Sequence, residues 1–488
     1  DFLVKGRLNG TWLGYAIKYS IERTKIELKM KEREARLRDL LEKIPEGFLV
    51  LSAGGHPIFA NQSALQIFGQ PREALLAGPL PVDTGPQAPE ETELRLKDGR
   101  RVPVEIHSEE ILWGAETGRL VMIQDLTKAK QLERARNEFI SMASHELRSP
   151  LTIIRESIDL VCDGTAGEVS EKQREILRMG LDNTGRLNRL IDALLDITKI
   201  EAGVMPLYMS EADYGGILRE TAAEYSLLAR ERGIEVEADV PEAHMAAYCD
   251  EEKIREVLVN LASNALKFTP RGGKLTFTLL PWEGQALFCV ENTGHGIEPE
   301  DMPKLFTRFA KVGSSAEPGV KGTGLGLAIS RGIAEMHRGH IWAESEPGKN
   351  AKFFVLLPLP DFAAAARELA RREISLSGGG RTFCSLTVLL PHEESVRAAE
   401  FIKNRFRSSN AMIRGMGGDI TILLPGSGMI EGAKAAALIQ KGLRELNTGR
   451  ETDARIIPLL YPEDFRDEEE YLIRMTEARG DNDKDTAH

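Results

Sequence analysis

Long apolar runs are missing from this 488-residue chain. No stretch reaches the roughly 18 apolar residues of a membrane-spanning helix, and no signal-peptide pattern opens it, so no segment is expected in a bilayer. Positive charge is in deficit: 63 Lys and Arg against 75 Asp and Glu leave a formal net charge of −12, which argues against nucleic acid as the main partner. Cysteine is scarce. Cys162, Cys249, Cys289 and Cys384 show no metal-type spacing and read as the reduced thiols of a cytoplasmic protein. An initial methionine is also lacking, which suggests a piece of something longer. The length exceeds what one core supports and suggests roughly three to five domains.

What is present centres on Phe139–Ile154, FISMASHELRSPLTII. Ile140, Leu147, Leu151, Ile154, Ile158 and Val161 fall three, four or seven apart, the spacing of a helical bundle seam. His145 lies two positions from Leu147, roughly 200° round the helix, and is expected to point to solvent. Glu146 follows it, and Pro150 should bend the helix just beyond. Alone, such a histidine reads as a solvated surface residue. A phosphate-donor site elsewhere in the chain would make it a nucleophile.

Asp250–Pro270, DEEKIREVLVNLASNALKFTP, supplies the candidate. On a helix Glu256, Asn260, Asn264 and Lys267 share an arc of roughly 80°, opposite the apolar Ile254, Val257, Leu258, Leu261 and Ala265. Amide oxygens suit Mg²⁺ and a lysine suits phosphate. The turn Asn292-Thr293-Gly294-His295-Gly296 follows, then Phe306-Thr307-Arg308-Phe309, then Lys311–Val320 rich in Gly, Ser and Pro. Gly322-Thr323-Gly324-Leu325-Gly326 comes directly before the helix LAISRGIAEMH. Glycines let backbone approach a triphosphate, and a helix start offers unpaired N–H groups. His295, His337 and His340 match no metal spacing and read as surface or loop residues.

Asn-rich helix, NTGHG turn, phenylalanine pair and glycine loop, in this order downstream of HELRSPL, resemble the sensor histidine kinases from Gln131 to about Pro360. The resemblance implies that the chain is an ATP-dependent two-component kinase. His145 attacks the γ-phosphate of ATP, Glu146 accepts or orients the proton, and the phosphoryl group passes to an aspartate on a response-regulator receiver domain. It implies Mg²⁺ on Asn260 and Asn264, with Lys267 on phosphate. Nucleotide contacts would come from Phe268, Asn292, Gly294, Gly296, Phe309, Gly322, Thr323, Gly324, Leu325 and Gly326. Ser149 stands where many members have a threonine that positions water for dephosphorylating the partner. Asn292 departs from the usual aspartate that accepts from the adenine amino group. Gly348–Lys352 has lost glycine from the last glycine box. These departures keep a second reading in view, a scaffold or pseudokinase that dimerises and binds partners but does little chemistry.

The flanks complete the organisation. Residues 1–22 resemble the last strand and helix of a receiver domain, with Lys5 at that family's lysine, and 23–40 form a charged helical linker. Residues 41–127 resemble a PAS domain: a short helix LLEKIPEG, strands FLVLSAGG and HPIFAN, helix QSALQIFG, then three strands. Residues 128–204 form a helical hairpin whose wide apolar faces need a second copy, hence a homodimeric four-helix bundle. Residues 205–360 are the ATP-binding domain. Residues 361–478, with GMGGDITILLPG and YPED, resemble the GGDEF domain of diguanylate cyclases, but Leu389-Leu390-Pro391 and Ile420 stand where that family has acids. Asp419 alone cannot hold two metals, so the module is read as catalytically dead. An unrelated ferredoxin-like domain is the alternative. Residues 479–488 read as a disordered tail. The expected fold class is multidomain α+β: a PAS fold, a dimeric four-helix bundle, an α/β-sandwich ATP-binding domain and a C-terminal ferredoxin-like α/β domain.

Overall fold

The computed structural model describes residues 10–78, 80, 91–96, 100–113, 116–165, 167–310, 324–377, 382–406, 411–415, 417–446 and 454–485. The strand expected over residues 1–6, the Asp98-Gly99 turn and most of the 78–89 loop lie outside the described residues. The chain divides into two compact units, Asp1–Ala135 and Arg136–His488.

The first unit opens with helix α1 (Gly10–Lys43). The leader helix and charged linker are one helix, and the expected short helix from Leu41 is only its last turn. Pro45 disfavours helical geometry at Ile44 and ends it there. Strands β1 (Gly47–Leu51) and β2 (Pro57–Ala60), helices α2 (Gln62–Phe68) and α3 (Arg72–Leu76), and strands β3 (Glu91–Arg95), β4 (Arg101–Trp113) and β5 (Glu116–Asp125) follow. They form one antiparallel sheet in the order β2-β1-β5-β4-β3. Asn61, fully buried, ties three elements together. Its Oδ1 accepts from the Phe48 and Ala64 amides, and its Nδ2 donates to the Leu41 and Glu46 carbonyls. All of its capacity to bond is met inside the fold, as burial requires.

Helix α4 (Thr127–Cys162) begins in the first unit and continues into the second, passing through Pro150 without a break. Its partner α5 (Glu171–Glu201) starts with a capping box, Ser170 accepting from the Gln173 amide while the Gln173 side chain accepts from Ser170. Arg148 pairs with Asp192 across the hairpin at 2.6 Å. Phe139, Met142, Leu147, Ile153, Ile154, Leu160, Ile176, Met179 and Leu187 stay exposed.

Next come β6 (Tyr208–Asp213), α6 (Tyr214–Arg232), β7 (Glu235–Asp239), β8 (Ala246–Cys249), α7 (Glu251–Phe268), β9 (Lys274–Trp282), β10 (Gln285–Thr293), α8 (Gly326–Met336), β11 (His340–Glu346) and β12 (Asn350–Pro358). A sheet ordered β11-β12-β10-β9-β7 carries alternating buried residues, and α6, α7 and α8 join it in one core. On α7, Ile254, Val257, Leu258, Leu261 and Ala265 are each at most 1% exposed, so the apolar stripe faces the sheet as its spacing requires.

The remainder is α9 (Phe362–Ser377), β13 (Phe383–Leu389), α10 (His392–Arg405), β14 (Ala411–Arg414), β15 (Ile420–Pro425), α11 (Met429–Leu446), β16 (Arg455–Tyr461) and α12 (Glu468–Asp485). Helix α12 replaces most of the disordered tail expected from polarity: Tyr471 and Met475 are fully buried and anchor the segment that leads into it. The sheet runs β16-β13-β15-β14-β6-β8. Its first four strands pair antiparallel in a βαββαβ order, and β14 then pairs parallel with β6 through Met412–Tyr208 and Ile413–Met209. The sequence boundary at Pro360 therefore crosses a single sheet. Leu207, Met209 and Tyr248 from one side share a core with Ala365, Ala366, Leu369 and Ala370 of α9 from the other.

Candidate functional site

Helix α7 is held at its start by Asp250, which accepts from the Lys253 and Tyr208 amides. Asp250 is buried, and burial holds its carboxyl above the usual carboxylate range against those hydrogen bonds. Its own amide donates to His337 Nε2 at 3.1 Å, while His337 Nδ1 lies 2.8 Å from the Ile333 carbonyl. That arrangement puts the proton on Nδ1. His337 is thus a buried neutral imidazole joining the end of α8 to the start of α7, and burial pushes its pKa down. The surface placement expected for it does not hold, because both ring nitrogens find backbone partners inside. His295 and His340 are exposed, as expected.

Along the polar face of α7, Asn260, Asn264 and Lys267 are all half-buried. Asn260 Nδ2 donates to Ser330 Oγ at 2.8 Å. Its Oδ1 presses on the first residue of α8: a Cβ on Gly326 would stand 2.2 Å from it. Burial pushes the Lys267 ammonium pKa down, and its Nζ sits 4.8 Å above the Phe268 ring. Glu256 does not join this set. It pairs with Lys253 at 2.8 Å, and Lys253 also reaches Asp196 on α5 at 3.6 Å.

The Asn292–Gly296 turn rests on the turn between β11 and β12. The Gly294 amide donates to the Lys349 carbonyl, and the Gly348 amide donates to the His295 carbonyl. Gly296 has φ 67°, and a Cβ there would meet the Glu346 carbonyl at 2.5 Å, so only glycine fits. Asn292 is 3% exposed, and its Nδ2 donates to the Thr293 carbonyl at 3.3 Å. Gly324 has φ 71° and is packed against Phe309 and the Ala310 carbonyl. Phe309 itself takes φ 57° and is exposed, whereas Leu325 is buried. Helix α8 starts at Gly326 with no side-chain cap. Gly322, Thr323 and the 311–320 stretch lie outside the described residues.

This donor set fits a magnesium–nucleotide complex. The described residues hold no group of three or more His, Cys, Asp or Glu able to hold a metal. A divalent cation here would rely on amide oxygens and phosphate oxygens, the hard ligands Mg²⁺ prefers. The start of α8, uncapped by a side chain, and the Lys267 ammonium suit phosphate.

On the hairpin, His145 lies in the backbone of α4, but its side chain is not among those described, so its expected direction stays an expectation. Glu146 and Ser149 are exposed. The ATPase layer touches α5 at its far end. A Cβ on Gly332 would stand 2.5 Å from Ile200 Cγ2, Arg308 pairs with Glu201, and a cavity of about 360 Å³ lies among Ile197, Ile200, Phe306, Ala328 and Glu335. Sequence reading missed Ser330, Lys253 and Asp196. Ser330 carried a faint signal, one turn inside the helix that follows the glycine loop. Three of the four cysteines are held as thiols: burial pushes Cys249 up to about 12 and Cys289 and Cys384 up to about 11.

Residues 249–361 match the histidine kinase-, DNA gyrase B- and HSP90-like ATPase family. Residues 135–203 match the His Kinase A phospho-acceptor domain, and residues 35–102 match a PAS domain. The sensor protein SrrB of Staphylococcus aureus is 30% identical over 329 residues, 67% of this chain, and the chain spans 56% of that protein's length. Among solved structures, full-length ShkA in complex with AMPPNP is 26% identical, with a TM-score of 0.40 over 50% of this chain and 54% of that one. The catalytic domain of the histidine kinase ThkA is 27% identical, with a TM-score of 0.28 over 31% of this chain and 96% of that one.

Proposed function

We propose that this chain, with its PAS, phospho-acceptor and histidine-kinase-type ATPase domains, is a sensor histidine kinase of a two-component pair. It autophosphorylates on His145 and passes the phosphoryl group to an aspartate of a response-regulator receiver domain. The observation that carries the reading is the contact of Asn260, on the polar face of α7 that also carries Asn264 and Lys267, with Gly326 and Ser330 in the first turns of α8. In the reaction an imidazole nitrogen of His145 attacks the γ-phosphorus. A P–N bond forms, the bond to the ADP oxygen breaks, and the imidazole proton passes to Glu146. Mg²⁺ bound at Asn260 and Asn264 would neutralise the charge growing on the phosphate oxygens. Lys267 adds a fixed positive charge, and a partly desolvated ammonium acts more strongly than one in water.

Incubation with γ-labelled ATP and Mg²⁺ tests this. The label should be acid-labile and alkali-stable, and label that persists in His145→Gln would sink the assignment. The scaffold reading is favoured by Asn292, a neutral amide where a carboxylate would strengthen the adenine contact, and by the loss of glycine from Gly348–Lys352.

Finer features belong to the same proposal. The exposed apolar residues of α4 and α5 support a homodimer through a four-helix bundle. No helix among the described residues is long and apolar enough to cross a membrane, in keeping with the cytoplasmic placement we propose. The βαββαβ order with strands β16-β13-β15-β14 supports a ferredoxin-like reading of residues 361–478. The GMGGD turn supports descent from a GGDEF domain, with Asp419 nearly buried and Ile420 fully buried where an acid would be needed. The receiver-domain reading of residues 1–22 rests on sequence alone, and the boundaries at residues 127, 204 and 360 remain our division.

A further inference from the structure

The passage from hairpin to ATPase layer is short. Helix α5 ends at Glu201, Gly203 turns the chain with φ 68°, and β6 begins at Tyr208. Two carbonyls of this crossover are held by a residue far along the chain. Arg372 of α9 donates through Nη2 to Gly203 O at 2.6 Å and through Nε to the same oxygen at 3.2 Å, and its Nη2 also donates to Met205 O. Leu376, one turn on, packs so closely that a Cβ on Gly203 would stand 3.2 Å from it. Met205 and Leu207 are each 2% exposed, and Leu207 shares its core with Ala365, Ala366, Leu369 and Ala370 of α9. The Leu207 carbonyl accepts from the Met412 amide of β14. The same region reaches the ATPase layer through Arg338–Glu368 and Lys403–Glu252.

A crossover that had only to connect two domains would leave its carbonyls to water. Here one guanidinium, a rigid fork of donors, fixes them from a third element. With Arg148 beside Asp192, the backbone of His145 stands near the level of Leu195, roughly 8 Å along α5 from Ile200, where α8 is packed. The ATPase layer packs beside the end of the hairpin, at Ile200 and Glu201, and on the kinase reading it shifts to bring phosphate to His145.

We infer that the segment after Pro360 is a clamp on the 202–207 crossover, with Arg372 as the positioning residue that holds the ATPase layer in its resting place on α5. The activity arm of this inference rests on the kinase reading, but the clamp itself does not.

The test compares the full chain with Arg372→Met and Arg372→Lys by hydrogen exchange and by autophosphorylation at saturating ATP. In Arg372→Met, the amides of Gly203, Val204, Met205 and Leu207, and those of 197–201 and 328–335, should exchange at least tenfold faster. Residues 254–266 inside α7 should be unchanged. The initial phosphorylation rate should rise at least threefold with nucleotide affinity unaltered. Arg372→Lys, which keeps charge but loses the fork, should fall between. Unchanged exchange at Gly203–Leu207 overturns the clamp, and so does faster exchange that spreads through α7 or leaves phosphorylation unmoved. Wild-type protein that takes up no phosphate sinks the kinase reading instead, and the exchange data then decide the clamp.

Discussion

Asn260 and Gly326 meet so closely that no side chain can stand between them: a Cβ on Gly326 would lie 2.2 Å from Asn260 Oδ1. One residue comes from the middle of α7 and the other is the first of α8. Their contact brings the amide that we propose as a Mg²⁺ ligand to the N-terminal end of α8, where unpaired N–H groups suit phosphate.

Two substitutions probe that contact. Asn260→Ala or Asn260→Asp should abolish autophosphorylation while the melting curve stays cooperative, because the apolar face of α7 is untouched. Gly326→Ala should lower nucleotide affinity at least tenfold by forcing α8 away from Asn260. Labelling with γ-labelled ATP reads the first and isothermal titration with a non-hydrolysable ATP analogue the second, and normal affinity in Gly326→Ala would show that the glycine is incidental.

Asn292 offers a gain rather than a loss. It is nearly buried at the end of β10. Replacement by aspartate should preserve ATP affinity or tighten it by up to ~1 kcal/mol through a charge-assisted bond to the adenine amino group. Weaker binding in Asn292→Asp would move the adenine contact elsewhere.

Glu373 gives the chain a pH-dependent stability. It is 4% exposed, its Oε2 has no hydrogen-bond partner, and burial pushes its pKa up to about 7, the attraction of Arg372 notwithstanding. The folded state therefore keeps a proton that the unfolded chain releases near pH 4.5. Stability from this group is full below that value and is lost as pH rises through about 7, by up to ~3 kcal/mol. Glu373→Gln should melt higher than wild type at pH 8 and alike at pH 4.5. A difference that is constant with pH would place the cause outside this carboxyl.

Truncation after Pro360 should damage the ATPase layer. It strips cover from Leu207, Met209 and Tyr248, each at most 6% exposed, and leaves β6 as an open edge. Loss of apolar burial costs roughly 1.5–3 kcal/mol per large side chain. The shortened chain should melt lower and bind a hydrophobic dye. Unaltered melting would mean that the shared sheet is dispensable.

The C-terminal segment should make no cyclic dinucleotide. Purified protein given GTP with Mg²⁺ or Mn²⁺ should yield nothing above background, since Ile420 is fully buried at the start of β15. Product that vanishes in Asp419→Ala would make the chain bifunctional.

Local patterns carried much of this protein into view from sequence. The stripe on α7, the hairpin helices and the strands around Asn61 follow from periods of 3.6 and 2, and the glycine positions from backbone geometry only glycine tolerates. Other features needed partners distant in sequence. His337 reads from sequence as a surface or loop residue because nothing in its neighbours announces that Asp250 will bond to it. Ser330 gains meaning only from Asn260, and Arg372 only from Gly203. The parallel pairing of β6 with β14 joins residues some two hundred apart. Pairings of that kind are set by which apolar faces finally meet, a long-range choice on which the period of either segment is silent.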